Sequence, residues 1–303
     1  MADSARLVIF CGKGGVGKTT LSLAAALQHA INGHRVLLVS SHPLEELALA
    51  VSLAGLSARF PAAAANLFVI YIDPHDLISD VVRRNFPVAI MAEKILKSSL
   101  FNNLIEVAPG LKEFFFLGRL QELAERRREV TSTTPLEYEY LIWDAPASGH
   151  FLSTLRSAKS FEVFLTGPLA AAGAQLHRFF SSRRNIQLFP VTPLEEMAIT
   201  ETLEMAAALG KDFDVQCSAL LVNCASPMCG ASEADIAALG PVRDSSPAMR
   251  FAIDRGLTER ERSAALRNSL PVPQLLIPRI TQWTNDVDLL AKIGERMDLS
   301  QFS

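Results

Sequence analysis

A glycine-rich loop between an apolar strand and a helix constrains this chain more than any other sequence feature. The loop, residues 11–20, reads C-G-K-G-G-V-G-K-T-T and follows the apolar run L-V-I-F at residues 7–10. Residues 21–27, L-S-L-A-A-A-L, are strong helix formers, which completes the context of a phosphate-binding loop. Glycines let successive backbone N–H groups turn inward around an anion, and the following helix adds its positive end. The sequence therefore predicts a nucleoside triphosphate site.

Two residues at the end of this loop have specific expected contacts. Lys18 is expected to reach the β- and γ-phosphates, and Thr19 to bring its hydroxyl to a magnesium ion. The residues expected to surround the nucleotide here are Gly12, Gly14, Gly15, Val16, Gly17, Lys18, Thr19 and Thr20.

A second nucleotide-binding motif is predicted at residues 140–144, Y-L-I-W-D, an apolar strand that ends in a carboxylate. A carboxylate at the carboxyl edge of a strand can hold the water shell of magnesium opposite the phosphate loop. Asp144 and Thr19 are therefore the predicted metal-binding residues.

The predicted fold is an α/β, doubly wound, mostly parallel sheet with helices on both faces, the fold class of a P-loop NTPase. Runs such as V-L-L-V at 36–39 show no alternation, as expected for strands buried on both faces. Helical lengths between most of the strands imply right-handed crossovers. The predicted strands are 6–11, 36–40, 67–72, 138–143, 186–191, 217–223 and 273–277.

We expect one domain over residues 1–303, with a helical insertion at about 75–130 and a mobile region at about 225–270. The apolar stripes of the insertion have two interpretations, helices packed on the core or a groove for an apolar or helical client. The second region is rich in Ser, Pro, Gly and charged residues, which favours mobility.

Composition excludes several classes of protein. Lys and Arg number 29 against 32 acidic residues, a net charge of −3, so no global basic field exists to bind nucleic acid. We expect no stable membrane insertion, because no run of about 18 uncharged apolar residues occurs. Four cysteines do not make a disulfide framework, and the start lacks the apolar stretch of a signal peptide. The expected location is cytoplasmic.

A second lysine inside the loop, Lys13, narrows the class. The pattern K-G-G-V-G-K-T-T resembles the deviant loop of ATPases related to the Min/Par proteins, the nitrogenase iron protein and the arsenite-pump ATPase. In those families the extra lysine reaches the phosphates of the partner subunit. The resemblance implies a homodimer, or a heterodimer with a paralogue, with the nucleotides at its interface. A solvated loop lysine is the alternative.

Three further segments resemble the arsenite-pump and tail-anchored-protein-targeting ATPases. Residues 144–152, D-A-P-A-S-G-H-F-L, resemble their switch II, and 192–202, T-P-L-E-E-M-A-I-T-E-T, resemble T-P-E-E-M-A-L-E-E-T. L-V-N at 221–223 matches their strand-ending V-V-N. The resemblance implies ATP and Mg²⁺ as cofactors and an unknown protein client. It also implies that Gly149 senses the γ-phosphate, Asn223 reads adenine and Pro278 closes the base pocket. Plain turn residues are the alternative for Gly149 and Asn223.

The switch I segment departs from the family pattern. The family reads S-T-D-P-A-H, whereas residues 40–46 read S-S-H-P-L-E-E, so His42 stands where an aspartate would position the attacking water. A neutral imidazole cannot supply that negative charge, and we expect slow hydrolysis with nucleotide binding intact. The alternative is a nucleotide-binding regulatory or structural partner with little turnover. The catalytic candidates are Lys13, Lys18, His42 and Asp144.

Cys224 and Cys229 stand where eukaryotic targeting members carry a C-x-x-C zinc clasp. Four residues separate them rather than two. Free structural thiols are therefore favoured over zinc ligands.

Overall fold

The computed structural model describes residues 5–40, 43, 53–85, 96–98, 110–126, 137–164, 168–182, 186–282 and 284–302. In these ranges seven strands form one sheet: β1 (Arg6–Gly12), β2 (Val36–Ser40), β3 (Leu67–Tyr71), β4 (Tyr140–Ala147), β5 (Ile186–Thr192), β6 (Leu220–Ala225) and β7 (Gln274–Pro278). The order across the sheet is β3-β2-β4-β1-β5-β6-β7, and every neighbouring pair is parallel. The predicted fold class is confirmed, and each predicted strand overlaps an observed one.

Helices lie along the chain between these strands and after β7. They are α1 (Lys18–Ile31), α2 (Leu53–Arg59), α3 (Pro61–Asn66), α4 (Pro74–Asn85), α5 (Leu111–Glu125), α6 (Ser148–Phe164), α7 (Pro168–Phe180), α8 (Glu196–Phe213), α9 (Glu233–Ala238), α10 (Gly240–Arg243), α11 (Pro247–Ser269) and α12 (Asp286–Gly294). Short 3₁₀ helices occupy Pro227–Gly230 and Ser300–Phe302. Within the described ranges, no helix combines the length and apolarity needed to cross a bilayer.

Alternate residues of the central strand β1 face two hydrophobic layers. Leu7 and Ile9 lie in the layer that contains buried residues of α5, α6 and α8. Val8 and Phe10 lie in the opposite layer, with buried residues of α1 and α12. All four side chains are at most 1% exposed. Burial on both faces explains why this strand reads as a continuous apolar run.

Two strand boundaries differ from the prediction by three residues or more. β4 continues past Asp144 to Ala147, because Gly12 of β1 pairs with Ala147 beyond a register shift. β6 begins at Leu220 rather than at residue 217. Before it, the Ser218 N–H donates to the carbonyl oxygen of Leu188 at 2.8 Å and fixes the chain alongside β5.

The predicted insertion and mobile region are described only in part. In α5, Phe114 and Leu117 are buried in the core layer, and the choice between the two interpretations of the whole insertion stays open. Phe115 and Phe116 are half-buried and pack against that layer. The remaining apolar residues on which the groove interpretation depends, at 88–91, 101 and 104–105, lie outside the described residues. Residues 225–270 form the 3₁₀ helix Pro227–Gly230 and α9 to α11. Their mobility stays a prediction.

Candidate functional site

The loop at residues 13–17 leads from the central strand β1 into α1. Gly12 and Gly17 have φ values of +144° and +94°, a region that other residues avoid. A Cβ at Gly12 would lie 2.4 Å from the carbonyl oxygen of Val191, and a Cβ at Gly17 would lie 2.3 Å from Nδ2 of Asn223. Conformation and space therefore both require glycine at position 12, where the near atom belongs to the backbone. At position 17 the positive φ requires glycine, and a side chain would also displace the Asn223 amide. Because Gly17 precedes α1 without a capping side chain, the first-turn N–H groups suit an anion.

Lys18 is the first residue of α1, and its ammonium group contacts the loop. Nζ donates to the carbonyl oxygen of Lys13 at 2.9 Å, and the residue is 9% exposed. Burial lowers the pKa of Lys18, and the charge of Asp144 opposes this by favouring the ammonium form. A buried charge is costly unless it is paired, so an anion bound at the loop would stabilise Lys18.

Thr19 and Asp144, distant in sequence, meet beside the loop. Thr19 Oγ1 donates to Asp144 Oδ2 at 2.7 Å. The contact forms because β4 pairs with β1, which places Asp144 opposite Phe10, and the aspartate is only 2% exposed. The two predicted metal-binding residues therefore lie together. Hydroxyl and carboxylate oxygens are ligands that Mg²⁺ accepts.

A cavity of about 490 Å³ extends from the loop to the carboxyl ends of β6 and β7. The predicted base-pocket residues Asn223 and Pro278 both line this cavity, as do the loop residues 13–17. In an open parallel sheet, ligands bind outside the carboxyl ends of the strands, which is where this cavity lies.

The Asn223 side chain fastens β6 to the loop. Its Nδ2 donates to the carbonyl oxygen of Val16 at 2.9 Å, and its Oδ1 accepts from the backbone N–H of Cys224 at 2.9 Å. A primary amide has two donor hydrogens and two acceptor lone pairs. One donor and one acceptor remain beyond these two bonds, enough to read the edge of a base.

Lys13 is held differently from Lys18. Its Nζ lies 3.6 Å from Oε2 of Glu201 on α8, and both side chains are 35% exposed. Glu201 Oε1 also accepts a hydrogen bond from the hydroxyl of Ser148, the first residue of α6. Sequence reasoning found the segment that contains Glu201 but gave this residue no role, because nothing in the pattern indicates which side chain faces the loop.

Gly149 lies in the first turn of α6 rather than in an isolated turn. Its φ is not positive, and no atom of the described structure lies within 4 Å of an added Cβ. Neither conformation nor packing therefore requires glycine here. His42, the remaining predicted catalytic residue, lies outside the described residues.

Sequence reasoning also missed two charged residues that α11 contributes to the cavity. Glu259 is 8% exposed and accepts from the backbone N–H of Ser226 at 2.9 Å and from Arg255 Nε at 3.0 Å. Arg255 and Glu259 both line the cavity. Their spacing of four residues is also typical of a solvent-exposed helix pair, so the sequence gave no signal of their position.

The cysteines are free thiols, with Cys224 exposed and Cys229 buried. Burial raises the pKa of the Cys229 thiol, which keeps it protonated. Across the part of the chain that the structure describes, no group of three or more His, Cys, Asp or Glu side chains could hold a metal ion.

The parallel sheet, the glycine loop from its central strand and the carboxylate on the adjacent strand together define the P-loop NTPase fold. The family model described as "Anion-transporting ATPase" matches residues 5–183, more than half of the sequence. The chain belongs to this family. The resemblance to arsenite-pump and tail-anchored-protein-targeting ATPases is thereby confirmed.

Curated relatives share this family. ATPase GET3 of Chaetomium globosum is 33% identical over 163 residues (54% of this chain, 45% of the relative). Putative arsenical pump-driving ATPase 2 of Aquifex aeolicus is 29% identical over 168 residues (53% and 52%). ATPase BagA of Mycobacterium tuberculosis is 24% identical over 231 residues (72% and 64%). The chain thus spans about half the length of the first two relatives.

Proposed function

We propose that this chain is an ATP-binding, nucleotide-switched ATPase that works as a dimer with Mg²⁺. The observation that carries the proposal is the loop itself: the positive φ of Gly12 and Gly17 requires glycine at both positions, backbone packing also requires it at Gly12, and Lys18 follows directly. The backbone N–H groups and the Lys18 ammonium would hold the phosphates. One domain, covering residues 1–303, would contain the site.

The residues beside the loop fit a magnesium ion. Thr19 and Asp144 offer a hydroxyl and a carboxylate oxygen that already share one hydrogen bond at 2.7 Å. When bound, Mg²⁺ would neutralise the charge that develops on the phosphates during transfer. Thr19 and Asp144 would hold it, and the buried position of Asp144 would keep its carboxylate fixed in direction.

The opposite end of the cavity suits adenine. The Asn223 amide keeps one donor and one acceptor. They complement adenine, whose edge presents an acceptor beside a donor. Pro278 would pack against the base, since it lines the same cavity at the end of β7. GET3 and the arsenical pump-driving protein are both named as ATPases, which supports ATP as the nucleotide.

Dimerisation follows from the second loop lysine. Lys13 is half-buried, whereas Lys18 is buried, so Lys13 is the lysine that a partner's phosphates can reach. The dimer would be a homodimer or a heterodimer with a paralogue. Asp144 and Gly149, the latter in the first turn of α6, would couple the nucleotide state to the helical insertion at about 75–130 and so to a protein client. The expected location remains cytoplasmic.

The turnover we propose is slow, because switch I carries His42 in the place of the family's aspartate. The same substitution favours a second candidate function, a regulatory or structural partner that binds nucleotide with little turnover. Single-turnover ATP hydrolysis by the purified chain, alone and with candidate partners, separates the two. A measurable single-turnover rate supports the enzyme, and bound ATP that stays intact supports the partner.

The two loop lysines provide the test of the dimer. Lys13→Ala should leave ATP affinity within about twofold but weaken ATP-dependent dimerisation about 10- to 100-fold, because it removes one charge-assisted contact. Sedimentation with a non-hydrolysable analogue and Mg²⁺ measures the association. Lys211→Ala, which removes an exposed lysine on α8, is the control and should behave like the wild type. Unchanged association in Lys13→Ala would remove the partner-reaching role.

A further inference from the structure

Glu201 joins three elements around the phosphate loop. Its carboxylate lies 3.6 Å from the Nζ of Lys13 in the loop and accepts a hydrogen bond from Ser148 at the start of α6. Glu201 itself lies on α8, which packs with β5 and α6. The loop follows β1 and α6 follows β4, so this carboxylate links the carboxyl ends of the two strands that carry the proposed phosphate and metal contacts.

Glu201 also places a negative charge close to the anion site. Its negative charge raises the pKa of Lys18 and so favours the ammonium form. This effect is smaller than that of Asp144, and burial, which lowers the pKa, is the largest influence. A triphosphate bound at the loop would repel this carboxylate, and a partner's phosphates would compete with it for Lys13. Like charges at short distance cost free energy, whereas phosphate oxygens are strong acceptors for a lysine.

We propose that Glu201 is a positioning residue that keeps Lys13 on its own subunit and releases it when the nucleotide-bound partner approaches. The inference rests on the proposed role of Lys13 across a dimer interface. The Ser148 hydrogen bond fixes the direction of the carboxylate, so any movement of α6 changes how firmly Lys13 is held. Through Glu201, the contact of Lys13 with a partner's phosphates therefore depends on the position of α6, which follows Asp144 in the chain.

The partial exposure of the Lys13–Glu201 ion pair is consistent with a contact that breaks when the partner binds. Both side chains are 35% exposed, and ion pairs of this kind shift an equilibrium by only about 1.5- to 5-fold. An ion pair of that strength between Lys13 and Glu201 weakens dimer association slightly without preventing it. A buried pair would instead trap the lysine, since breaking it leaves an unpaired charge in the interior.

Glu201→Gln tests the proposal, because glutamine keeps an acceptor for Ser148 and loses the charge that holds Lys13. The variant should dimerise at an Mg²⁺–ATP analogue concentration about two- to fivefold lower than the wild type requires, as measured by sedimentation. Glu204→Gln, an exposed glutamate on the same helix, is the matched control and should dimerise like the wild type. Equal or weaker dimerisation by Glu201→Gln overturns the proposal.

A second measurement separates this inference from the proposed function. Amine labelling of the nucleotide-free protein, read by mass spectrometry, should modify Lys13 about two- to fivefold faster in Glu201→Gln, with Lys211 labelled at an unchanged rate. An unchanged rate of Lys13 labelling would show that Glu201 does not restrain Lys13, whether or not the protein binds nucleotide. Faster labelling in a protein that binds no ATP analogue would refute the proposed function and leave the contact standing.

Discussion

The end of the cavity proposed to hold phosphate (the phosphate end) and the end proposed to hold the base (the base end) are built in different ways. At the phosphate end, one continuous stretch at residues 12–19 supplies most of the site, and its shape depends on backbone conformation at Gly12 and Gly17. At the base end, single side chains converge from β6, α11 and β7. The phosphate end is therefore a local structure, and the base end is a product of tertiary packing.

Asn223 is the point where the two ends meet. Its amide bonds the carbonyl oxygen of Val16 at 2.9 Å, and it lies where a side chain at Gly17 would have to be. The residues proposed to hold phosphate and those proposed to read the base are thus different, but the hydrogen bond between Asn223 and Val16 joins the two groups. The predictions below test how far the separation extends.

The largest expected effect concerns turnover at the phosphate end. His42→Asp should raise the rate of ATP hydrolysis about 10²–10⁴-fold, the range that a well-placed catalytic group commonly provides, with ATP affinity nearly unchanged. His42→Ala should change the rate little. Single-turnover assays at saturating ATP measure both. Fast hydrolysis by the wild type that neither substitution alters would mean that another residue, such as Glu45, positions the water.

The next effect concerns affinity at the same end. Lys18→Ala should weaken binding of Mg²⁺–ATP on the order of a hundredfold, because it removes a charged donor from a residue that is only 9% exposed. Titration with a fluorescent ATP analogue measures this, and Lys211→Ala serves again as the control. A loss shared by the two variants, or no loss in Lys18→Ala, would contradict the assignment of Lys18 to phosphate.

The same contrast between local structure and tertiary packing explains which features could be predicted from the sequence. The inner strands were predictable because continuous apolar runs suit burial on both faces. The edge strands β3 and β7 were found from their apolar runs as well, although they are only partly buried. The loop and Asp144 were predictable because strand, loop and helix are adjacent in the sequence and strand pairing then brings the carboxylate close. Arg255, Glu259 and Glu201 were not, since their positions depend on how α8 and α11 rotate against the sheet. Helix rotation is decided by packing, which a charge pattern does not encode.

A smaller effect is expected at the base end. Asn223→Ala should reduce the preference for ATP over GTP about tenfold, since a bidentate amide–base contact commonly discriminates by that order. The readout is the ratio of the affinities for ATP and GTP. Loss of the hydrogen bond to Val16 alone would weaken the binding of both nucleotides equally and leave this ratio unchanged. An unchanged ratio with weaker binding of both would reduce Asn223 to a residue that only fastens the loop.

The smallest effect comes from α11 and decides whether this helix belongs to the base end at all. Arg255 is 51% exposed and lines the cavity, with its Nε on the buried Glu259. Solvent screens a half-exposed charge, so Arg255→Gln should weaken ATP binding only about two- to fivefold. Arg250→Gln is the matched control on the same helix, because Arg250 pairs with Asp244 at 2.9 Å and does not line the cavity. If both variants bind ATP equally well, α11 contributes no charge to the nucleotide, and the base end reduces to Asn223 and Pro278. A loss confined to Arg255→Gln would instead make the nucleotide a direct contact of the region 225–270, and ATP binding should then slow hydrogen exchange in α11.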